Sequence, residues 1–218
     1  MRAVIFDLDG TLIDSAPEIN GIANRVLEAE NLAPITLADT RRFIGEGAGV
    51  FVSRMMAARG VDPSPRTHKR LLADFIGFYD HAVSLTRLYP HVRETLTALA
   101  AEGFRLGICT NKPLDPTRFV LEHFGLAPLF PVIIGGDSLP QRKPDPAPLR
   151  AAIEQLGAPD VVFVGDSEID AETARAAGVP FALFTKGYRK SGIADMPHDL
   201  AFSDYSDLSA GLNGIFHR

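Results

Sequence analysis

The chain has 218 residues, a formal net charge of −5 and one cysteine, and hydrophobic residues make up 46% of it. The acidic balance argues against a nucleic-acid or anionic-membrane surface, Cys109 alone excludes an internal disulfide, and no apolar run approaches the roughly 18 residues of a membrane span. Asp7 and Asp9 interrupt the N-terminal apolar stretch, so no signal peptide is visible. We expect a cytoplasmic protein that binds neither nucleic acid nor membrane, as a monomer or homodimer.

The chain opens with a short apolar run, residues 3–6, that ends in Asp7 and Asp9. Such a run bounded by a turn predicts a buried strand. Because residues i and i+2 of a strand point to the same side, both carboxylates are expected at the strand's carboxyl end, where open α/β sheets bind ligands. Two close carboxylates require a divalent cation or a shared proton. The alternative is that Asp9-Gly10 is only a turn, which Asp7 caps.

Residues 15–88 show helical periodicity and no convincing strand. Thr36 and Asp39 have the spacing of a capping-box-like start, and Ser64-Pro65 supplies a cap followed by proline. Asp14 and Ser15 are expected to form a turn and a cap into the first helix. Helices are predicted over residues 16–31, 36–42, 50–59 and 65–83.

From Tyr89-Pro90 onward, strands alternate with helices of about ten residues, which is typical of parallel βαβ units. The predicted fold is an α/β, doubly wound, parallel-sheet (Rossmann-like) core with an inserted all-helical cap domain. Residues 1–14 and 90–218 form the core, and residues 15–89 form the cap. Core strands are predicted over residues 104–109, 132–134, 161–164, 181–184 and 200–202, and an Asp115-Pro116 cap is predicted to open the helix after the first of these.

Polar residues follow the core strands at the points where they end. Thr110-Asn111, Lys143, Asp166 and Asp170 all come after strands or their loops, and parallel strands bring such ends to one edge. Carboxylates suit Mg²⁺, and a lysine with a hydroxyl suits a phosphoryl group. An aspartate can attack phosphorus, while a second, neutral carboxyl can protonate the leaving oxygen.

These motifs resemble the four ordered motifs of the haloacid dehalogenase-like hydrolase superfamily. They are residues 7–15, Thr110-Asn111-Lys112, Lys143-Pro144 and residues 165–170. Asp9 is the residue that phosphatases and phosphomutases of that superfamily have and that members acting on carbon–halogen bonds lack. The helical insertion resembles the cap of the same subgroup.

The resemblance implies a role for each matching position. Asp7 would be the nucleophile and a Mg²⁺ ligand, and Asp9 the general acid/base, with its backbone carbonyl on the metal. The remaining roles are phosphoryl binding by Thr110 and the Asn111 N–H, charge compensation by Lys143, and Mg²⁺ ligation, direct or indirect, by Asp166 and Asp170.

Within the superfamily the chain is most similar to the phosphoglycolate phosphatase group, through residues 44–48, 142–149 and Gly187-Tyr188. This resemblance implies Mg²⁺-dependent hydrolysis of a small phosphate monoester, 2-phosphoglycolate, through an aspartyl phosphate. Gly10, Gly47 and Arg42 are expected to contribute to the substrate site, Arg42 or its neighbour Arg41 by meeting a substrate carboxylate.

Several alternatives stay open from the sequence. A β-phosphoglucomutase-like enzyme, a broad sugar-phosphate phosphatase or a pyrophosphatase would use the same core. A phosphonate-cleaving relative needs a cap lysine, and Lys69 is a poor candidate because it lies in a polar run. A receiver-like or regulatory Mg²⁺-binding module is the non-enzyme alternative, although a receiver needs neither a cap nor a carboxyl two residues after its acceptor.

Overall fold

The computed structural model describes residues 1–62, 64–79 and 82–217. In chain order, the strands and α-helices are β1 (Arg2–Phe6), β2 (Ile13–Asp14), α1 (Ala16–Ala29), α2 (Leu37–Phe43), α3 (Ala48–Ala58), α4 (Pro65–Tyr79), β3 (Arg87–Leu88), α5 (Val92–Ala101), β4 (Arg105–Cys109), α6 (Leu114–His123), β5 (Val132–Ile134), α7 (Ala147–Leu156), β6 (Asp160–Gly165), α8 (Glu168–Ala177), β7 (Phe181–Phe184), β8 (Leu200–Phe202) and α9 (Leu208–Phe216). No helix in these described ranges is long and apolar enough to cross a membrane.

The main sheet has six strands, all parallel, in the order β5-β4-β1-β6-β7-β8. The chain winds outward from β1 through β4 to β5 and then crosses back to β6, so the topological switch point lies beside β1. Open α/β sheets bind ligands at that point, outside the carboxyl ends of the strands. The strand order therefore puts the end of β1, where Asp7 follows, in the position of a binding site.

Two hydrophobic clusters cover the two faces of this sheet, as the predicted doubly wound core requires. Side chains of α5, α6 and α9 pack on one face, and side chains of α7 and α8 pack on the other. Residues 3–6 of β1 have no exposed surface. Strand β1 is thus buried on both sides, which explains why it is a continuous apolar run rather than an alternating one.

Helices α1–α4, here called the helical insertion, pack around a third hydrophobic cluster of their own. The predicted starts of two of these helices are confirmed. Thr36 Oγ1 accepts from the Asp39 N–H while the Asp39 carboxylate accepts from the Thr36 N–H. Ser64 Oγ accepts from the Thr67 N–H at 3.3 Å.

The prediction that residues 15–88 contain no strand is wrong. The two residues of β3 pair antiparallel with the two residues of β2, so a short ribbon joins the insertion to the core. The last predicted helix of this region ends at Tyr79, and Val83 packs in the core cluster instead; residues 80 and 81 lie outside the described residues. A two-residue strand has no periodicity by which sequence could reveal it.

The predicted Asp115 cap is also wrong. Helix α6 begins at Leu114, and the Leu114 N–H donates to Asp137 Oδ1 at 2.8 Å. The cap therefore comes from a residue 23 positions away in sequence, after β5.

Candidate active site

Three buried carboxylates meet at the carboxyl ends of β1 and β6. Asp7 follows β1, Asp166 follows β6, and Asp170 lies in the first turn of α8. Each offers an oxygen within 4.8 Å of the others. The Asp170 carboxylate is held in place, because it accepts from the N–H groups of Asp166 and Ser167 and from the Ser167 hydroxyl. The acidic residues that were predicted at separate strand ends therefore lie together at the topological switch point.

Lys143 lies inside this cluster with its ammonium group buried. Lys143 Nζ is 2.6 Å from Asp170 Oδ1 and 3.0 Å from Asp7 Oδ1. Burial by itself would lower the Lys143 pKa, but the charges of Asp170 and Asp7 outweigh burial and hold that pKa above its usual range. The lysine is therefore a permanent cation that offsets part of the acidic charge.

The Asp7 carboxylate is only partly compensated. Its Oδ1 is buried and accepts no hydrogen bond, since the contact with Lys143 lacks hydrogen-bond geometry. Burial raises the pKa of Asp7 to about 6, although the Lys143 ammonium opposes the shift. Burial and the charges of Asp170 and Asp7 likewise hold the Asp166 pKa well above its usual range. Such a cluster has the oxygen donors and the uncompensated charge that a hard divalent cation would satisfy.

Asp9 faces the other side of the site. Its Oδ1 accepts from the Ser15 hydroxyl at 2.6 Å and lies 3.4 Å from Lys112 Nζ. Lys112 also donates to the Tyr79 hydroxyl, which belongs to α4. Of the predicted Asp14–Ser15 cap of α1, Asp14 Oδ1 accepts from the Ala16 N–H at 3.3 Å, whereas Ser15 occupies the N-cap position but directs its hydroxyl to Asp9. The carboxyl two residues after Asp7 is therefore positioned by groups from both the core and the insertion.

A pocket opens above Asp7 and Asp9, between the core and the insertion. Its cavity of about 40 Å³ has room for only a few water molecules, each of which needs roughly 10–15 Å³. Apolar side chains of the insertion, among them Phe51 and Phe75, form its upper wall, and Lys112 lines its core side. The arrangement leaves space for a ligand of a few atoms beyond the carboxylates.

The remaining predicted substrate residues divide into two groups. Gly47 lines the pocket, and Gly10, at φ +88°, lies so close to Asp166 that a Cβ at this position would overlap the carboxylate. Arg42 does not reach the pocket, because it extends from the exposed face of α2 and pairs with Asp39. Its neighbour Arg41 pairs with Asp14, 3.3 Å away. Neither arginine lines the pocket in this arrangement.

Thr110 and Asn111 lie at the end of β4, beside the pocket. The Thr110 hydroxyl interacts with the Asp7 carboxylate. The Asn111 side chain donates to the carbonyls of Gly45 and Lys143 and accepts from the Lys143 N–H. Asn111 thus connects the insertion to the lysine loop, which leaves only its backbone to bind a ligand.

Two further residues of the site were not singled out from the sequence. Lys112 is buried beside Asp9, and Tyr188 donates its backbone N–H to Asp166 Oδ2 at 2.5 Å. Both lie within segments that the sequence analysis used as motifs, Thr110-Asn111-Lys112 and Gly187-Tyr188. Cys109 is buried in the core beside this site, and burial raises the pKa of its thiol to about 12.

The sequence is similar to that of proteins in a known family over most of its length. The profile of the haloacid dehalogenase-like hydrolases matches residues 4–184. A phosphoglycolate phosphatase of Cereibacter sphaeroides is 49% identical over 209 residues, 95% of this chain and 96% of its own length. A phosphoglycolate phosphatase of Rhodobacter capsulatus is 43% identical over 212 residues, 97% of each chain.

A solved structure shows the same agreement in three dimensions. The crystal structure of a predicted phosphoglycolate phosphatase from Haemophilus somnus superposes with a TM-score of 0.90 at 34% sequence identity, over 95% of this chain and 96% of that one. The match covers both the parallel sheet and the helical insertion.

Proposed function

The chain belongs to the haloacid dehalogenase-like hydrolase family, and on that premise we propose that it hydrolyses 2-phosphoglycolate to glycolate and phosphate in a Mg²⁺-dependent reaction. The observation that carries the proposal is the Asp7 carboxylate. It is buried at the bottom of a small pocket, its Oδ1 accepts no hydrogen bond, and Lys143 lies 3.0 Å away. Phosphoglycolate is the substrate named for relatives that are 43–49% identical over almost the whole chain.

The acidic cluster fits a magnesium ion. Asp7 and Asp166 would ligate it through their carboxylates and Asp9 through its backbone carbonyl, while Asp170, which already binds Lys143, would complete the site or support it. When bound, the ion would neutralise negative charge on the phosphoryl oxygens and the carboxylates. The buried Asp7 Oδ1, which accepts no hydrogen bond, and the raised pKa of Asp166 support this assignment.

In the first half-reaction an Asp7 carboxylate oxygen attacks phosphorus. The phosphorus–oxygen bond to glycolate breaks, and the carboxylic acid of Asp9 gives its proton to the departing oxygen. The product left on the enzyme is an acyl phosphate on Asp7. Lys143 and the Thr110 hydroxyl would hold the phosphoryl oxygens, which is the positioning and charge stabilisation that phosphoryl transfer requires.

In the second half-reaction the Asp9 carboxylate takes a proton from water, and the resulting hydroxide oxygen attacks the same phosphorus. The bond between phosphorus and the Asp7 oxygen breaks, which releases inorganic phosphate and restores both carboxyl groups. Asp9 is suited to both steps because Ser15 and Lys112 fix its orientation at the edge of the pocket.

Lys112 supports the choice of a substrate with a second anionic group. It is the cation among the residues that line the pocket, and the wall opposite the phosphate side is apolar. The carboxylate of phosphoglycolate would meet this ammonium group. Hexose hydroxyls would lie against Phe51 and Phe75, which offer no hydrogen bonds, so the same pocket disfavours a mutase-like or broad sugar-phosphate activity. Lys69 is exposed on α4 and away from the pocket, which disfavours phosphonate cleavage.

The test compares kcat/KM for 2-phosphoglycolate, glucose 6-phosphate and p-nitrophenyl phosphate, with Mg²⁺ and with EDTA. We expect phosphoglycolate to be preferred, and turnover to require Mg²⁺ and to be absent in Asp7→Asn. Lys112→Met should lower activity toward both esters, because Lys112 also orients Asp9. The loss toward phosphoglycolate should exceed the loss toward the aryl phosphate by about 10²-fold, as a buried charged hydrogen bond implies. A tenfold preference for the hexose phosphate would exclude the substrate, and no turnover of any ester would favour a binding module.

A further inference from the structure

Tyr188 lies in the loop after β7 and touches both the acidic cluster and the two linkers that join the insertion to the core, residues 13–15 and 87–89. Its backbone N–H donates to Asp166 Oδ2 at 2.5 Å. Its hydroxyl donates to Asp14 Oδ1 at 2.7 Å, at the end of β2. The residue is 7% exposed, so these contacts are shielded from water. One residue thus contacts the acidic cluster through its backbone and the ribbon that carries the insertion through its side chain.

The Tyr188 hydroxyl also supplies the N-terminal cap of α1. It accepts from the Ser15 N–H at 2.8 Å and from the Ala16 N–H at 3.0 Å. The first N–H groups of a helix have no partner within it, and the Ser15 side chain makes no cap hydrogen bond. Tyr89, which follows β3 on the returning linker, interacts with the same hydroxyl. The Ala16 N–H also donates to Asp14 Oδ1 at 3.3 Å, so Tyr188 shares the cap of α1 with the residue that accepts its own hydroxyl hydrogen.

Close packing leaves the Asp166 carboxylate little room to move independently of this loop. A Cβ on Gly187 would overlap the Asp166 side chain, so the backbone of residue 187 lies directly against it. Thr11 holds the other carboxylate oxygen through its hydroxyl, at 2.9 Å. A change in the position of Asp166 is consequently passed to the peptide of residues 187–188.

We propose that Tyr188 is a positioning residue that couples cation binding at Asp166 to closure of the helical insertion. The inference rests on the proposed function, because it requires the cation site. A cation held by the Asp166 carboxylate would shift the Tyr188 peptide through its hydrogen bond to Oδ2, and the Tyr188 hydroxyl would transfer that shift to both linkers. By linkage, closure of the insertion over the pocket favours cation binding by the same factor.

The experiment measures hydrogen–deuterium exchange of the Ser15 and Ala16 amides without substrate, with EDTA and with saturating Mg²⁺. Tyr188→Phe keeps the ring and the backbone N–H and removes only the hydroxyl. Tyr205→Phe is the matched control, since it removes another buried tyrosine hydroxyl, which donates to the Thr11 carbonyl and not to a linker. Calorimetric titration with Mg²⁺ establishes saturation for each protein.

We expect Mg²⁺ to slow exchange of these amides by about fivefold or more, the low end of ordinary coupling, in the wild type and in Tyr205→Phe. In Tyr188→Phe, Mg²⁺ should bind and leave the exchange unchanged. Equal protection in wild type and Tyr188→Phe would overturn the coupling, as would Mg²⁺ binding to the wild type with no effect on the amides. Absence of Mg²⁺ binding would instead overturn the proposed function and this inference with it. If Tyr188→Phe does not fold, the same exchange measurement is made on Asp14→Asn, which changes the carboxylate that accepts the Tyr188 hydroxyl hydrogen bond.

Discussion

Replacing Asp7 with asparagine should stabilise the metal-free protein while abolishing turnover. Folding moves the Asp7 pKa from its usual 3.8 to about 6, because the carboxylate loses water and Lys143 compensates only part of the cost. A shift of about two pH units, at 1.36 kcal/mol each, corresponds to ~3 kcal/mol. The asparagine side chain has nearly the same shape and carries no charge, so it avoids this cost.

The sign of the effect depends on pH. Below about pH 4, Asp7 is protonated in the folded and the unfolded chain, and the variant has no advantage from charge. As pH rises to about 6, the unfolded carboxyl ionises more readily than the folded one, so the wild type loses stability. The difference between the two proteins should therefore open between about pH 4 and 6 and stay constant above that range.

The assay is urea unfolding in EDTA at pH 4 and pH 8, with the thermal midpoint as a second measure. At pH 8 we expect Asp7→Asn to be more stable by ~3 kcal/mol, or roughly 2–4 °C in Tm for each kcal/mol. Asp9→Asn is the control, because Asp9 has Ser15 and Lys112 as partners and should lose stability on replacement. An Asp7→Asn protein no more stable than wild type at pH 8 would refute the argument. Adding Mg²⁺ should stabilise the wild type and narrow the gap.

Three further changes test other parts of the structure. Lys143→Met should lower the free energy of unfolding in EDTA by about 3–5 kcal/mol, because it leaves buried carboxylates without their cation; an unchanged urea midpoint would contradict this. The His91–Asp204 ion pair raises the His91 pKa. The stabilisation by this pair is therefore complete below about pH 6.5 and is lost as pH rises through the raised pKa. His91→Asn should lower Tm more at pH 6 than at pH 9, and an equal loss at both pH values would show that the pair does not stabilise the fold. Gly187→Ala should abolish Mg²⁺ binding measured by calorimetry, since its Cβ would overlap the Asp166 carboxylate. Gly77→Ala is the control: the space around Gly77 in α4 is open, so the free energy of unfolding should rise by about 0.5–1 kcal/mol.

The catalytic core could be predicted from the sequence because the patterns that indicate its strands and polar residues are local. An apolar strand followed by Asp7, and a strand followed by Asp166, carry both the element and its polar end within a few residues. Parallel topology then determines where those ends meet. The same holds for Thr36 and Asp39, whose capping box spans only three residues.

Contacts between segments that are distant in sequence could not be predicted from such local patterns. The ribbon of β2 and β3 joins residues 13–14 to residues 87–88, and neither segment has a pattern of its own. Periodicity places Arg42 on a helix but does not tell which side of α2 faces the pocket. Lys112 meets Tyr79 across 33 residues and Tyr188 meets Asp14 across 174, so their roles emerge only when core and insertion pack together.

The central position of β1 also governs the order in which the chain can fold during synthesis. Its partners are β4 and β6, which follow it in the chain, so the backbone of β1 stays unpaired until residues 105–109 and 160–165 have been translated. The cluster of α1–α4, by contrast, draws on residues 19–82 alone and can form first. Asp7, directly after β1, is thus translated before the two strands that enclose it, and until they emerge an apolar strand stays open to mispairing.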